Sequence, residues 1–123
     1  MIVVVAPSVA PLEPEALGLL ALMELNASRT AARTDAAGEP VLLMDQDRAR
    51  WDRLQIQRGM LALARARDLG GAGGFYVLQA EIVACHARAP APGDTDWPRI
   101  AARDAQLAAL LPWPVIALKR AFA

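Results

Sequence analysis

The sequence is short of the residues that most often carry chemistry. Its 123 residues include one cysteine, Cys85, and one histidine, His86. A single cysteine excludes an internal disulfide and a cysteine-based zinc site, and it fits a reducing, cytoplasmic compartment. A single histidine leaves a histidine-based metal site short of ligands, and adjacent helical residues point about 100° apart. We expect no catalytic residue, metal or cofactor, and a chain that is not an enzyme.

Net charge and long apolar runs are also lacking. Lys plus Arg and Asp plus Glu each number 13, so the formal net charge is zero. No basic excess is available to attract a phosphate backbone. The apolar residues 1–11 have no basic flank and are far too few for a membrane span. We therefore expect no direct DNA binding, no signal peptide and no membrane insertion.

What is abundant favours helices. Hydrophobic residues make up 55% of the chain but aromatic residues only 5%, so the apolar content is mainly Ala, Leu and Val. Ala and Leu are strong helix formers. We predict an all-α fold, an irregular array of about five helices over residues 12–123 after a separate leader, residues 1–11. Apolar side chains surround the first helix from Pro14 onward, which predicts that it is buried.

The second predicted helix carries two apolar stripes, and two stripes predict two packing partners. The first stripe is Trp51, Leu54, Leu61 and Leu69, and the second is Ile56, Met60 and Leu63.

Turn signals separate the predicted helices. Short apolar stretches on either side of a turn make a small β-hairpin around residues 33–43 an open alternative. The glycines of residues 70–74 end the second helix and link it to a third. Thr95 or Asp96 caps a fourth helix, and a fifth begins at Val115.

Charged residues are densest in residues 43–53, LMDQDRARWDR, which we call the 43–53 segment. An EF-hand loop starting at Asp45 would need Gly and Glu where Arg50 and Ile56 stand. A metal or catalytic site is therefore the weakest of three interpretations. The strongest is that Asp45 or Asp47 caps the second helix beside an ion-paired face. The third is a protein contact surface, because Arg and Trp are enriched at interface hot spots. Its candidate contact residues are Asp45, Asp47, Arg48, Trp51, Asp52 and Arg53.

Four stretches together resemble a known family: PEALGLLALMEL, DAAGEPVLLMDQDRARWDR, YVLQAEIVACHARAP and DTDWPRIAARDAQLAALLPWPVIALKRAFA. Over residues 12–123 the chain resembles the C-terminal extension of a subgroup of extracytoplasmic-function RNA polymerase sigma factors. The resemblance implies a helical, tetratricopeptide-like domain without catalytic activity. It also implies regulation of transcription initiation through contacts with the sigma DNA-reading domains or RNA polymerase.

The chain departs from that pattern in several places. Residues 1–11 have no counterpart, ASRTAA replaces a more charged helix end, and LKRAFA stands where LNRAVA is expected. Nothing in the chain resembles the two DNA-reading domains of the family, so promoter recognition is not implied. The expected truncation of the array at its C-terminus would leave an apolar edge and favour self-association or docking. The alternatives are a small ligand-binding or enzymatic helical domain and an inert gene remnant.

Overall fold

The computed structural model describes residues 12–111, and these residues form four α-helices. Helix α1 spans Leu12–Ala27, α2 Arg53–Asp68, α3 Phe75–Arg88 and α4 Trp97–Ala109. Short 3-10 turns lie at Thr30–Ala32, Leu43–Asp45, Arg48–Arg50 and Pro92–Asp94. Since no strand occurs within residues 12–111, the all-α prediction is confirmed. The leader, the fifth helix and the apolar C-terminal edge lie outside the described residues.

The region proposed as a hairpin, residues 33–43, is a tight loop rather than a pair of strands. Thr34 and Pro40 form one isolated antiparallel bridge. The Asp35 side chain accepts two backbone amides of the loop at 2.9 Å each, as aspartate often does in turns. Gly38 has a φ of +82°, which glycine adopts without strain. One backbone bridge, supported by the bonds to the Asp35 side chain, forms in place of the hairpin.

Helix α1 packs against both α2 and α3, and α3 packs in turn against α4. Close approach depends on glycine. A Cβ atom added to Gly59 of α2 would lie 2.8 Å from Cγ of Leu25, and one added to Gly18 of α1 would lie 2.8 Å from Cγ2 of Val77 in α3. Such distances are well below van der Waals contact, so the two glycines let the three helices approach closely. The main buried side chains are Ala21, Leu25, Trp51, Ile56, Leu63, Ala66, Val77, Ala80 and Ala84.

Two predictions about burial are wrong. Helix α1 is not buried all round, because Leu20 and Met23 are 49% and 60% exposed. On α2 the stripe containing Leu63 faces the core. The other stripe is divided: Trp51 is buried, whereas Leu54 and Leu61 are 59% and 64% exposed.

The link between α2 and α3 forms as predicted. The amide of Gly71 donates to the carbonyl of Ala66 at 2.8 Å, and that of Gly70 donates to the carbonyl of Arg67 at 2.9 Å. Gly70 has a φ of +83°. This pair of bonds around a left-handed glycine is a common way to end a helix, because it satisfies carbonyls that the helix leaves free.

Two carboxylates hold α3 in place. Glu15 of α1 accepts the Tyr76 amide at 3.0 Å and so caps the first turn of α3. Glu81, 6% exposed, forms ion pairs with Arg67 of α2 and Arg103 of α4, the second with 2.7 Å between Oε2 and Nε. Helix α3 is therefore bound by charge to each of the other three helices.

Helix α4 begins at a side-chain cap, as predicted. Of the two candidates, Asp96 provides it, because its carboxylate accepts the Arg99 amide at 3.1 Å. Thr95 is buried just before the cap. None of the helices in residues 12–111 has the length and apolar character that crossing a membrane requires.

Candidate functional site

Most of the 43–53 segment consists of two 3-10 turns, Leu43–Asp45 and Arg48–Arg50. Helix α2 begins only at the last residue of the segment, Arg53. Asp47 accepts the amide two residues ahead and caps the second turn, whereas Asp52 accepts the amide three residues ahead, at 3.0 Å, and caps α2. The prediction that Asp45 or Asp47 caps the second helix is therefore wrong, although an aspartate of the segment does so.

Arg48 is buried, and its guanidinium closes the end of α3. One of its nitrogens, Nη1, donates to the carbonyl of His86 at 2.7 Å and to that of Ala89 at 3.1 Å. Carbonyls at the C-terminal end of a helix lack partners within the helix. A cation at this end also meets the negative end of the helix dipole. Arg48 therefore fixes the 43–53 segment to α3.

Trp51 also helps to hold the 43–53 segment, through contacts with Arg48 and Gln46. It is 2% exposed, and its Nε1 donates to Oε1 of Gln46 at 3.1 Å. The Arg48 guanidinium carbon lies 4.4 Å from the centre of a Trp51 ring, within cation–π range. The amide of Asp52 donates to the carbonyl of Ser28 at 2.8 Å, beyond the end of α1. The segment thus ties the ends of α1 and α3 to the start of α2.

The six predicted contact residues fall into two groups. Arg48 and Trp51 are buried, so their assignment to a contact surface is corrected to a role inside the fold. The other four are exposed: Asp45, Asp47, Asp52 and Arg53. Within residues 12–111 no three His, Cys, Asp or Glu side chains lie close enough together to hold a metal ion. What the segment offers to a partner is a set of exposed charges on a firmly held backbone.

Exposed leucines continue this surface along α2. Leu54 and Leu61 are seven residues apart, or about two helical turns, so they lie on one side of the helix. We define the outer face of α2 as four exposed residues: Arg53, Leu54, Gln57 and Leu61. Sequence reasoning assigned Leu54 and Leu61 to a packed stripe of the helix. It missed the surface because periodicity identifies an apolar stripe without telling whether another helix covers it.

Cys85 and His86 occupy separate environments on α3, as the sequence indicated. Cys85 is buried, and burial raises the pKa of its thiol, which makes it a poor nucleophile at neutral pH. The ring of His86 lies edge-on to Trp97, with 5.6 Å between ring centroids. Burial lowers the pKa of His86, and the nearby charges of Arg29 and Arg48 lower it further. The imidazole is therefore held in its neutral form.

Comparison with known proteins adds a family but no activity. Residues 1–67 match a family of unknown function, DUF6596, over a span that includes α1, the 43–53 segment and most of α2. The chain is 45% identical over 113 residues to an uncharacterized protein of Rhizobium meliloti (strain 1021), an alignment that covers 92% of this chain and 26% of that protein. The chain thus spans about a quarter of the length of the curated relative that it matches. No solved structure is significantly similar to it. The chain belongs to DUF6596, a family of unknown function.

Proposed function

We propose that this chain is a non-catalytic interaction module that regulates transcription initiation in the cytoplasm, as the C-terminal extension of an extracytoplasmic-function sigma factor would. Its partners would be the DNA-reading domains of a sigma factor or RNA polymerase. The motif resemblance over residues 12–123 supports this context. The alignment with only 26% of a longer relative is consistent with a domain that acts as part of a larger protein.

The outer face of α2 carries the proposal. Leu54 and Leu61 expose 59% and 64% of their surface although the opposite side of the helix is packed in the core. Two polar side chains border them, Arg53 and Gln57. An apolar centre with a polar rim is the usual composition of a protein interface.

The 43–53 segment contributes rigidity to this surface. Arg48 and Trp51 fix the backbone just before α2, and Asp52 caps the helix. The start of the outer face therefore needs little ordering when a partner binds. Rigid presentation of a surface favours affinity because less conformational entropy is lost on association.

The proposal is tested by capturing RNA polymerase core, and separately the DNA-reading domains of a sigma factor, on the immobilised full chain. The variant Leu54→Asp/Leu61→Asp places charge at the centre of the outer face. We expect it to reduce capture of the bound partner by about tenfold or more, since interface centres dominate binding energy.

The matched control is Leu20→Asp/Leu110→Asp. It also replaces two exposed leucines, 49% and 53% exposed, but on α1 and just after α4. It should leave capture unchanged. Failure of the wild-type chain to capture either partner would contradict the proposal and favour an inert remnant, as would equal losses in the two double variants.

A further inference from the structure

A cleft of about 420 Å³ lies between the end of α2, α3 and α4, away from the start of α2 where the outer face begins. Its volume falls in the range of about 300–1,000 Å³ that small-molecule sites occupy. Four arginines dominate its lining, with one carboxylate. The charged lining residues are Arg67, Glu81, Arg88, Arg99 and Arg103.

The cleft concentrates positive charge on a chain whose net charge is zero. Four guanidinium groups face one lining carboxylate, an excess of three positive charges. Asp96 lies next to Arg99, with 3.7 Å between Oδ2 and Nε, and Asp94 lines an adjoining cavity with Arg88 and Arg99. Counting both aspartates still leaves an excess of one positive charge. Arginine stays charged at all physiological pH values, so the excess is permanent.

Glu81 organises the inner part of the cleft. Burial alone would raise the pKa of Glu81, but hydrogen bonds from Arg103 and Arg67 outweigh burial and lower it. The carboxylate is therefore ionised, and it orients both guanidinium groups. Arg103 is held a second time, because its Nη1 donates to Oε1 of Gln106 at 2.9 Å. Two cations are thus fixed before any ligand arrives, which lowers the entropy lost on binding.

Arg88 and Arg99, unlike the other two arginines of the cleft, form no ion pair with Glu81. Both are exposed lining residues. The contact of Arg99 with Asp96 joins two side chains that are 49% and 53% exposed, and exposed pairs of this kind contribute little to stability. These two arginines are therefore free to turn toward an anion in the cleft.

We propose that this cleft binds a diphosphate group, either as free pyrophosphate or as part of a nucleoside diphosphate. A single carboxylate offers only two oxygens to the four guanidinium groups, whereas a diphosphate offers several and carries about two to three negative charges at neutral pH. The planar guanidinium fork also matches phosphate oxygens in a two-point contact. The inference is independent of the protein-interaction proposal, since it rests on different residues.

The test is calorimetric titration of the full chain at low salt with inorganic pyrophosphate, with ADP and with citrate. Citrate carries comparable charge on carboxylates. We expect saturable pyrophosphate binding with a Kd below about 1 mM. The variant Arg88→Ala/Arg99→Ala should weaken it by about tenfold or more, because charge-assisted hydrogen bonds are lost.

The matched control is Arg58→Ala/Arg65→Ala, which removes the same charge from exposed positions of α2 outside the cleft. It should change the Kd by no more than about twofold, since neither side chain lines the cleft. With this pattern of variants, tighter binding of ADP than of pyrophosphate supports the proposal with a nucleotide as the source. Weaker binding of ADP supports it with free pyrophosphate as the source.

Three results would overturn the proposal. One is the lack of saturable pyrophosphate or ADP binding up to about 10 mM, a concentration that would reveal even weak sites. Another is an equal loss of affinity in the control variant, which would indicate an unspecific charge effect. The third is citrate binding as tightly as pyrophosphate, which would show that the cleft selects charge and not phosphate.

Discussion

Two sets of arginines in this chain carry the same charge in opposite surroundings. Arg48 is 8% exposed, donates to two carbonyls at the end of α3 and lies over Trp51. Arg88 and Arg99 are exposed and line a cleft with excess positive charge. The difference teaches that an arginine of a charged motif, such as Arg48, can belong to the core. Arginines outside any motif, such as Arg88 and Arg99, can remain open to a ligand.

The largest effect is expected for Trp51, which packs against the buried Arg48. Trp51→Ala should lower the free energy of unfolding by about 4 kcal/mol, because a fully buried ring leaves a cavity. Urea denaturation followed by circular dichroism measures the change. Trp97→Ala is the control: its side chain is 51% exposed, and the loss should be about 1 kcal/mol or less. Equal losses would contradict the core assignment of Trp51.

Glu81 allows the same comparison within the cleft, because it is a buried charge whereas Arg88 and Arg99 are exposed charges. Glu81→Gln should lower the free energy of unfolding by about 3 kcal/mol at pH 7, because it breaks a buried ion pair. Because the pKa of Glu81 is lowered in the fold, its contribution is present above the usual glutamate pKa and is lost as the pH falls through the folded pKa. The difference from wild type should therefore shrink in acid.

The control for Glu81 is Glu24→Gln. Glu24 pairs with Arg58, whose side chain is 53% exposed, so its replacement should cost less than about 1 kcal/mol. Chemical denaturation of both variants across the acid range provides the measurement. If Glu24→Gln destabilises the chain as much as Glu81→Gln, the buried network is not what holds α3 between α2 and α4.

The smallest effect is expected for His86, whose carbonyl accepts a hydrogen bond from the buried Arg48. Its pKa is lowered in the fold, so the unfolded chain takes up the proton first as the pH falls. Stability should be fully present above the ordinary histidine pKa of about 6.5 and should decline below it. His86→Gln should flatten this decline, and no other histidine can contribute. Identical pH profiles for wild type and variant between about pH 5 and 7.5 would contradict the assignment.

Composition and capping residues were enough to predict the helices and some of their ends. The Ala- and Leu-rich composition indicated an all-α fold. Asp96 and the glycine-rich residues 70–74 are local signals, because a cap or a left-handed glycine acts within a few residues. The helices between these signals follow from the same local rules. The tetratricopeptide-like pairing implied by the resemblance stays a prediction.

The role of Arg48 could not be predicted, because its partners are distant in sequence. It bonds His86 and Ala89, which lie 38 and 41 residues further along the chain. Arg48 and Trp51 were assigned to a contact surface because Arg and Trp are enriched at interface hot spots. The error for Leu54 and Leu61 is the reverse: they were assigned to a packed stripe, but both are more than half exposed.

The contrast between the two arginine sets is tested most directly by measuring two properties of two variants. Arg48→Ala should lower the free energy of unfolding by about 2 kcal/mol, through the loss of its carbonyl bonds, and leave pyrophosphate affinity unchanged. Arg88→Ala should change the free energy of unfolding by no more than about 0.5 kcal/mol and weaken pyrophosphate binding severalfold. The account is contradicted if Arg88→Ala destabilises the chain as much as Arg48→Ala, or if both variants lose the same affinity.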